Sequence, residues 1–189
     1  IDEFPSYMLT VPAQDVPQPI MSLYQSAAIL QNTSKHFVNM HDNCWVLEKQ
    51  LRMYELVAGG KEKFRERPFC GLIVCPVSPL EIMGEEADMM FLALDYNMPV
   101  TIFNDIMSGS TAPATLAGTM VVMNAEILAG VTLAQIIKPG ACVRYGTSSS
   151  IMDFRNNNTP IGGAEHGLVS AATAQLARRY NMPSITGGL

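Results

Sequence analysis

Apolar positions along the chain fall into two alternating kinds of run. Short β-prone runs follow prolines: Phe69–Cys75 after Pro68, Val100–Asn104 after Pro99, Cys142–Thr147 after Pro139, and Ser184–Gly187 after Pro183. Proline cannot continue a helix and pushes its predecessor toward extended backbone, so each marks a helix-to-strand junction. Between these runs the apolar spacing becomes helical. Ile82, Met83, Ala87, Met90 and Leu94 predict a helix over Leu80–Tyr96. Leu116, Met120, Met123, Ile127 and Val131 predict one over Ala112–Ile137, with Thr111 as its cap and Pro113 in its first turn. A third covers Ala164–Tyr180 and ends in Arg178-Arg179, which suit the negative end of a helix dipole. Upstream, Tyr7–Val11 and His36–Met40 read as strands, and Pro17–Thr33 and Asn43–Val57 as helices. Tyr96-Asn97-Met98-Pro99 recurs as Tyr180-Asn181-Met182-Pro183, each time between a helix and a strand. Asn tolerates the left-handed conformation that ends helices, so the repeat predicts one shared junction used twice.

This alternation of about six strands and five helices predicts an α/β fold with parallel strands and right-handed crossovers. An open doubly wound sheet and a closed barrel both satisfy it. No GxGxxG follows the first strand, which removes the main support for a dinucleotide-binding sheet. The expectation is therefore an incomplete (β/α)8 TIM-type barrel, one partial domain over residues 1–189. The start at Ile1 and the stop at Gly187-Gly188-Leu189, just after a strand, read as cuts at both ends.

Composition narrows the partners. The chain is 48% hydrophobic and 15% charged, against about 25% charged in ordinary soluble domains. Such a chain expects burial on several sides, and its low charge suits a homo-oligomer. The net charge is −5, and no basic stripe interleaves with aromatics, which argues against nucleic acid. The uncharged run Ile106–Ala125 carries Ser108, Ser110, Thr111, Pro113, Thr115 and Thr119, too polar for a membrane span. With no signal-like segment the reading is cytoplasmic, without membrane association. Cys44, Cys70, Cys75 and Cys142 are widely spaced without a CxxC pair and read as buried free thiols, not as a disulfide or zinc site.

In a barrel, chemistry gathers where strands end. His41 with Asp42 could move protons, or Asp42 could simply cap the next helix. Asp105 stands in an apolar strand-end context where a carboxylate is costly unless something binds it, although a turn contact with Ser108 or Ser110 would also explain it. Asp153 and Glu165 bracket a polar loop; a pairing with Arg155 and a place in a helix first turn are their structural alternatives. Tyr145, Phe154 and His166 could line a pocket for a cation through their ring faces, or pack in the core. There is no HExxH and no Walker loop, and Gly146-Thr147-Ser148-Ser149-Ser150 lacks the closing glycine of a nucleophile elbow. No metal set is expected.

One block is more specific than a generic barrel. Gly109-Ser110-Thr111-Ala112-Pro113-Ala114-Thr115-Leu116-Ala117-Gly118-Thr119, then Asn124-Ala125-Glu126-Ile127-Leu128-Ala129-Gly130 and Pro139-Gly140, resembles the trimethylamine methyltransferase family. The likeness continues through Tyr145-Gly146, Asp153-Phe154-Arg155, Gly163-Ala164-Glu165 and Gln175-Leu176-Ala177-Arg178-Arg179-Tyr180, with Thr33-Ser34-Lys35-His36 and Ala58-Gly59-Gly60 upstream. It departs at Asn156-Asn157, where the family carries Thr-Gly-like residues.

The resemblance implies a (β/α)8 barrel that passes a methyl group from a methylated amine to the Co(I) of a separate corrinoid protein. Trimethylamine and quaternary amines such as glycine betaine are the implied substrates. The corrinoid (cobalamin) would belong to that cognate partner, with no cofactor bound in this chain. Where the family carries pyrrolysine, its position is expected beyond Leu189. Attack on a methyl needs a neutral amine as leaving group, which a quaternary ammonium already supplies. Ring faces and carboxylates suit that permanent cation, which singles out Tyr145, Asp105, Asp153 and Glu165. A betaine carboxylate would want donors, for which His41, Ser148 and the backbone near Gly146 are candidates. Two rivals stand beside this reading: a barrel that binds quaternary amines without catalysis, and a barrel lyase or aldolase. A Schiff-base lysine at a strand end would favour the last, but Lys35, Lys49, Lys61, Lys63 and Lys138 all fall in predicted helices or their flanks.

Overall fold

The computed structural model describes residues 6–8, 13–39 and 41–187, with backbone only for 6–8 and for Asn39. Residues 9–11 of the first expected strand, Met40, Gly188 and Leu189 lie outside the described residues. Those within Ile1–Ile73 and Gly84–Val100 form one compact unit, and those within Val74–Met83 and Thr101–Leu189 a second.

In the first unit the chain runs β1 (Ser6–Met8), a 3-10 turn at Gln18–Ile20, α1 (Met21–Asn32), β2 (His36–Asn39), α2 (Cys44–Ala58), α3 (Lys61–Glu66), β3 (Cys70–Val74) and α4 (Gly84–Asp95). The strands lie side by side in the order β1-β2-β3, both pairs parallel, with Ser6 opposite His36 and Phe37 opposite Cys70. Asn43, rather than Asp42, caps α2 by accepting from Val46 N at 2.9 Å. Asp42 instead accepts from Ser22 Oγ. Helix α3 is one more than expected; only six residues long, it offers too little periodicity to read. Its buried Phe64 joins Phe37, Tyr54, Phe69 and Tyr96 in an aromatic cluster with ring centroids 5.1–6.2 Å apart.

The second unit continues with β4 (Val100–Asn104), β5 (Met107–Ser108), α5 (Leu116–Ile137), β6 (Val143–Thr147), β7 (Ser150–Ile151), α6 (Ala164–Arg179) and β8 (Ser184–Thr186). Its larger strands are ordered β4-β6-β8. β6 and β8 are parallel, with Tyr145 opposite Ser184 and Gly146 opposite Ile185. The two-residue ladder of β5 with β7 was not expected. It displaces the start of α5: Thr111 Oγ1 accepts from Met107 N at 3.0 Å, and Thr115 takes over as cap, accepting from Gly118 N at 3.2 Å. The α/β expectation with parallel strands therefore holds in both units, each proline-led strand lying within a residue or two of its predicted place.

The repeated tetrapeptide is a shared helix end. Asn97 and Asn181 adopt φ of 58° and 54°. Met98 N donates to Ala93 O and Asn97 N to Leu94 O, and the same pair recurs as Met182 N to Ala177 O and Asn181 N to Arg178 O. This is the Schellman arrangement, which satisfies otherwise orphaned carbonyls before proline redirects the chain.

Helix α5 is long and apolar enough to cross a membrane by length and composition. One face of it packs into the unit, where Thr119, Met123, Glu126, Ile127, Gly130 and Ala134 are buried. A Cβ on Gly130 would stand 2.8 Å from Ile102 Cγ2, so the glycine admits close helix–strand approach, and Glu126 in its middle is buried and bonded to the rest of the unit.

Candidate functional site

The second unit brings three strand ends together: Asn104-Asp105 after β4, Thr147-Ser148 after β6 and Thr186-Gly187 after β8. A set of buried polar contacts fixes them. Asn104 Nδ2 donates to Met123 O at 3.2 Å and to Glu126 Oε2 at 3.0 Å. Glu126 also accepts from Ser78 Oγ and from Leu80 N, each at 2.9 Å. A buried carboxylate with three donors is compensated, so Glu126 works as a clasp joining loop 75–83, β4 and α5. Thr147 Oγ1 lies 3.1 Å from Asn104 O and 2.6 Å from Ser149 Oγ, and Ser149 Oγ accepts from Ile106 N at 2.9 Å. Backbone bonds from Ser148 N to Asn104 O (3.0 Å) and from Gly187 N to Thr147 O (2.9 Å) complete the frame.

On this frame Asp105 keeps an exposed side chain. Partial burial raises its carboxyl above the usual carboxylate range, and the nearby His166 imidazole opposes that shift. The turn contacts expected for Asp105 are made by others: Ser108 Oγ pairs with Thr119 Oγ1 at 2.7 Å. His166, in the first turn of α6, is fully buried. Its Nδ1 accepts from Gly162 N at 3.3 Å, so the ring proton is on Nε2, which has no partner. Ser148 is half-buried beside Gly187, where a Cβ would stand 2.5 Å from Ser148 Oγ and 3.1 Å from His166 Nε2. Asp105, Ser148 and His166 are thus the expected candidates that the structure groups.

The others sit differently. Tyr145 has 0% exposure: its OH donates to Asn124 Oδ1 at 2.9 Å and its ring stacks on Tyr180, so it is held among helix residues, and burial raises its phenol well above the ordinary value. Gly146 faces the other way, where a Cβ would meet Phe103, Ile185 and Thr101 within 3.2 Å. Asp153 Oδ1 accepts from Arg155 N at 2.9 Å and closes a turn of the polar loop. Phe154, 68% exposed, covers Gly109, where a Cβ would stand 2.7 Å from Phe154 Cζ. Glu165 is half-buried in the first turn of α6, in the favourable position expected for an acid there. Among the described residues no hydrogen bond joins Asp153 or Glu165 to Asp105 or Ser148.

His41 belongs to the first unit, just after β2. Gln50 Nε2 donates to Ser22 O (3.2 Å) and Ser26 Oγ (2.9 Å), leaving Gln50 Oε1 as acceptor for His41 Nδ1–H. Its Nε2 is therefore an unprotonated, buried lone pair without a partner. Burial lowers His41 to about 4, against smaller opposing effects of Gln50 and Asp42. The four cysteines are free, Cys70 buried and Cys142 exposed, so burial does not extend to every thiol. No cluster of three or more His, Cys, Asp or Glu able to hold a metal occurs among the described residues.

Sequence reasoning did not find Glu126, Asn104 and Thr147. Glu126 carried a signal: it is the one acid in the apolar stretch Leu116–Ile137.

The family model described as trimethylamine methyltransferase (MTTB) matches residues 6–189. The chain is 36% identical over its full length to the trimethylamine methyltransferase of Desulfitobacterium hafniense (strain DCB-2), covering 38% of that protein. It is 36% identical to a trimethylamine methyltransferase of Methanosarcina mazei, over 96% of the chain and 37% of the relative. The glycine betaine methyltransferase of Desulfitobacterium hafniense (strain Y51) is 34% identical over 93% of the chain and 36% of its own length. The chain thus spans somewhat over a third of the relatives it matches.

Proposed function

The chain belongs to the trimethylamine methyltransferase family, and from that premise we propose that the whole protein transfers a methyl group from a methylated amine to the Co(I) of a corrinoid carried by a partner protein. The observation that carries the reading is Asp105, a carboxylate standing free at the C-terminal end of a strand beside Ser148 and His166. We read the parallel strands as part of a (β/α)8 barrel, in which that end is where catalytic groups gather.

The cobalt is the methyl acceptor, and therefore a substrate. In the step, Co(I) contributes the electron pair of the new cobalt–carbon bond, the carbon–nitrogen bond breaks, and its pair stays on nitrogen as a neutral amine. The protein has to hold the ammonium, aim one methyl outward and keep water away. Asp105 attracts the cation, while the Asn104–Glu126 clasp and the Thr147–Ser149 contacts keep the strand ends fixed during approach of the partner. A quaternary amine needs no further activation, whereas trimethylamine must first become cationic. Relatives named for trimethylamine and for glycine betaine are about equally similar, so substrate choice turns on the site residues. The reading extends to a cytoplasmic homo-oligomer with no corrinoid of its own.

The test is turnover by the full-length protein with a Co(I) corrinoid protein and a panel of methylated amines, followed as loss of the Co(I) absorbance. Asp105→Asn is expected to lower kcat/KM about tenfold or more, the scale of one partly screened charge pair. A rate unchanged by Asp105→Asn would remove Asp105 from the site.

A further inference from the structure

Strand β6 carries a cation for which the described residues of the second unit supply no counter-charge. Arg144 is half-buried, and its Nε and Nη2 lie out of contact with water and without a hydrogen-bond partner. A guanidinium cannot relieve that cost by giving up its proton, as a buried lysine can. Burial works against its charge, and among the described residues the Cys142 thiol is the one titratable group within electrostatic reach. The two unpartnered nitrogens belong together chemically. Nε–H and the Nη2–H beside it form one edge of the guanidinium plane, on which a carboxylate sits with two parallel hydrogen bonds.

The sheet says from which side the acceptor comes. Side chains alternate along a strand, so Arg144 shares a face with Gly146, whose Cβ position would meet Thr101, Phe103 and Ile185. Both helices of the unit lie on the other face: α5 brings Gly130 against Ile102, and Tyr180, just after α6, stacks on Tyr145. Thr101 Oγ1 is a second buried polar atom without a partner on the Arg144 face. In a barrel that face turns inward, toward the strands opposite. Arg144 is the second residue of β6, and Thr147 stands three residues, about 10 Å, further along the strand. A substrate at the C-terminal strand ends is therefore too far away to be its partner. Because both nitrogens are sealed from water, the acceptor is packed in with the fold and does not enter as a solute.

We propose that Arg144 anchors a buried ion pair across the barrel interior, its Nε–H and Nη2–H donating to an aspartate or glutamate that the full-length protein supplies from outside residues 1–189. The relatives leave ample chain for this, since residues 1–189 span somewhat over a third of their length. The pair fastens β6 to the strands that face it, and Arg144 is a structural anchor at the end of the strand away from Asp105 and Ser148. The inference rests on the barrel reading and is independent of methyl transfer.

The experiment is thermal unfolding of the full-length protein and its Arg144→Met variant from pH 7.5 to pH 5, with and without added chloride and phosphate and at two protein concentrations. Methionine keeps the apolar stem and removes the charge, which strands the partner carboxylate. At pH 7.5 the variant should melt about 5 °C or more below wild type, the scale of a broken buried pair. Burial raises a stranded carboxylate above its ordinary range, so it takes up a proton as pH falls and the deficit should shrink toward pH 5. The contribution of His41 is common to both proteins and cancels in the difference. Replacing the acids outside residues 1–189 one at a time by their amides, in the Arg144→Met protein, should find one that restores the midpoint and removes the pH dependence of the deficit. Where Arg144→Met does not fold, as judged by circular dichroism, that same amide substitution should restore folding. A variant as stable as wild type, a deficit that ignores pH, a deficit that depends on chloride, phosphate or protein concentration, or the lack of any restoring amide would overturn the ion pair. No turnover is read, so loss of the pair leaves the methyl-transfer reading standing, and a protein that moves no methyl still tests the pair.

Discussion

The fixed tautomer of His41 leads to a quantitative expectation for stability against pH. Burial holds its folded-state value at about 4, below the ordinary 6.5. The unfolded chain therefore binds one proton more than the folded chain between these values, and stability rises with pH across that window. The stabilisation is complete above pH 6.5 and is lost as pH falls toward 4. At about 1.4 kcal/mol per unit, the window corresponds to roughly 3 kcal/mol. That is a large share of the ~5–15 kcal/mol that holds a typical domain folded. The cause is local: protonation would place a cation in a site where Gln50 already fills Nδ1 and no acceptor faces Nε2. Urea unfolding of the full-length protein at half-unit steps from pH 7 to pH 4 measures it, with His41→Asn as control because Asn keeps an N–H toward Gln50 and does not titrate. The stability advantage of wild type over the variant should shrink by about 3 kcal/mol over that range. Parallel profiles for the two proteins would refute the reasoning.

Three further outcomes follow from packing. Glu126→Ala leaves the Ser78, Leu80 and Asn104 donors without their shared acceptor and should cost about 3 kcal/mol or more in a denaturation midpoint. Gly130→Ala places a Cβ 2.8 Å from Ile102 and should destabilise by about 1–3 kcal/mol, whereas Gly167→Ala on α6 meets nothing within 4 Å and should stabilise by up to ~1 kcal/mol through helix propensity; both are read in the same assay. Asn181→Ala forces a side chain without local hydrogen-bonding capacity into φ 54° and should cost about 1 kcal/mol, with Asn181→Gly close to neutral, as thermal unfolding can show.

Much of this was legible in the chain because the punctuation is local. Proline, and the Asn ahead of it, act on their own backbone, so the strands after Pro68, Pro99, Pro139 and Pro183 and the paired helix ends needed no tertiary information. The start of α5 was not legible, since Thr111 and Thr115 are equally good caps and only the β5–β7 ladder decides between them. Nor was the face of each strand residue. Strands of a parallel sheet are buried on both sides, so no polar–apolar alternation shows that Tyr145 turns to Asn124 and Tyr180 while Gly146 turns to Phe103 and Ile185. For the site, carboxylates and hydroxyls at strand ends could be named from sequence. Their grouping could not, because Asp105, Ser148 and His166 meet only once β4, β6 and α6 are packed.

The most direct test of methyl transfer is to give the full-length protein a substrate labelled with carbon-13 in its methyl groups, together with a Co(I) corrinoid protein. The label is followed by NMR, with glycine betaine and trimethylamine run in parallel. The expected result is label on cobalt and one equivalent of singly demethylated amine, dependent on both proteins and reduced by Asp105→Asn. Binding of either amine with no label reaching cobalt would contradict the assignment and favour a protein that binds methylated amines without turning them over.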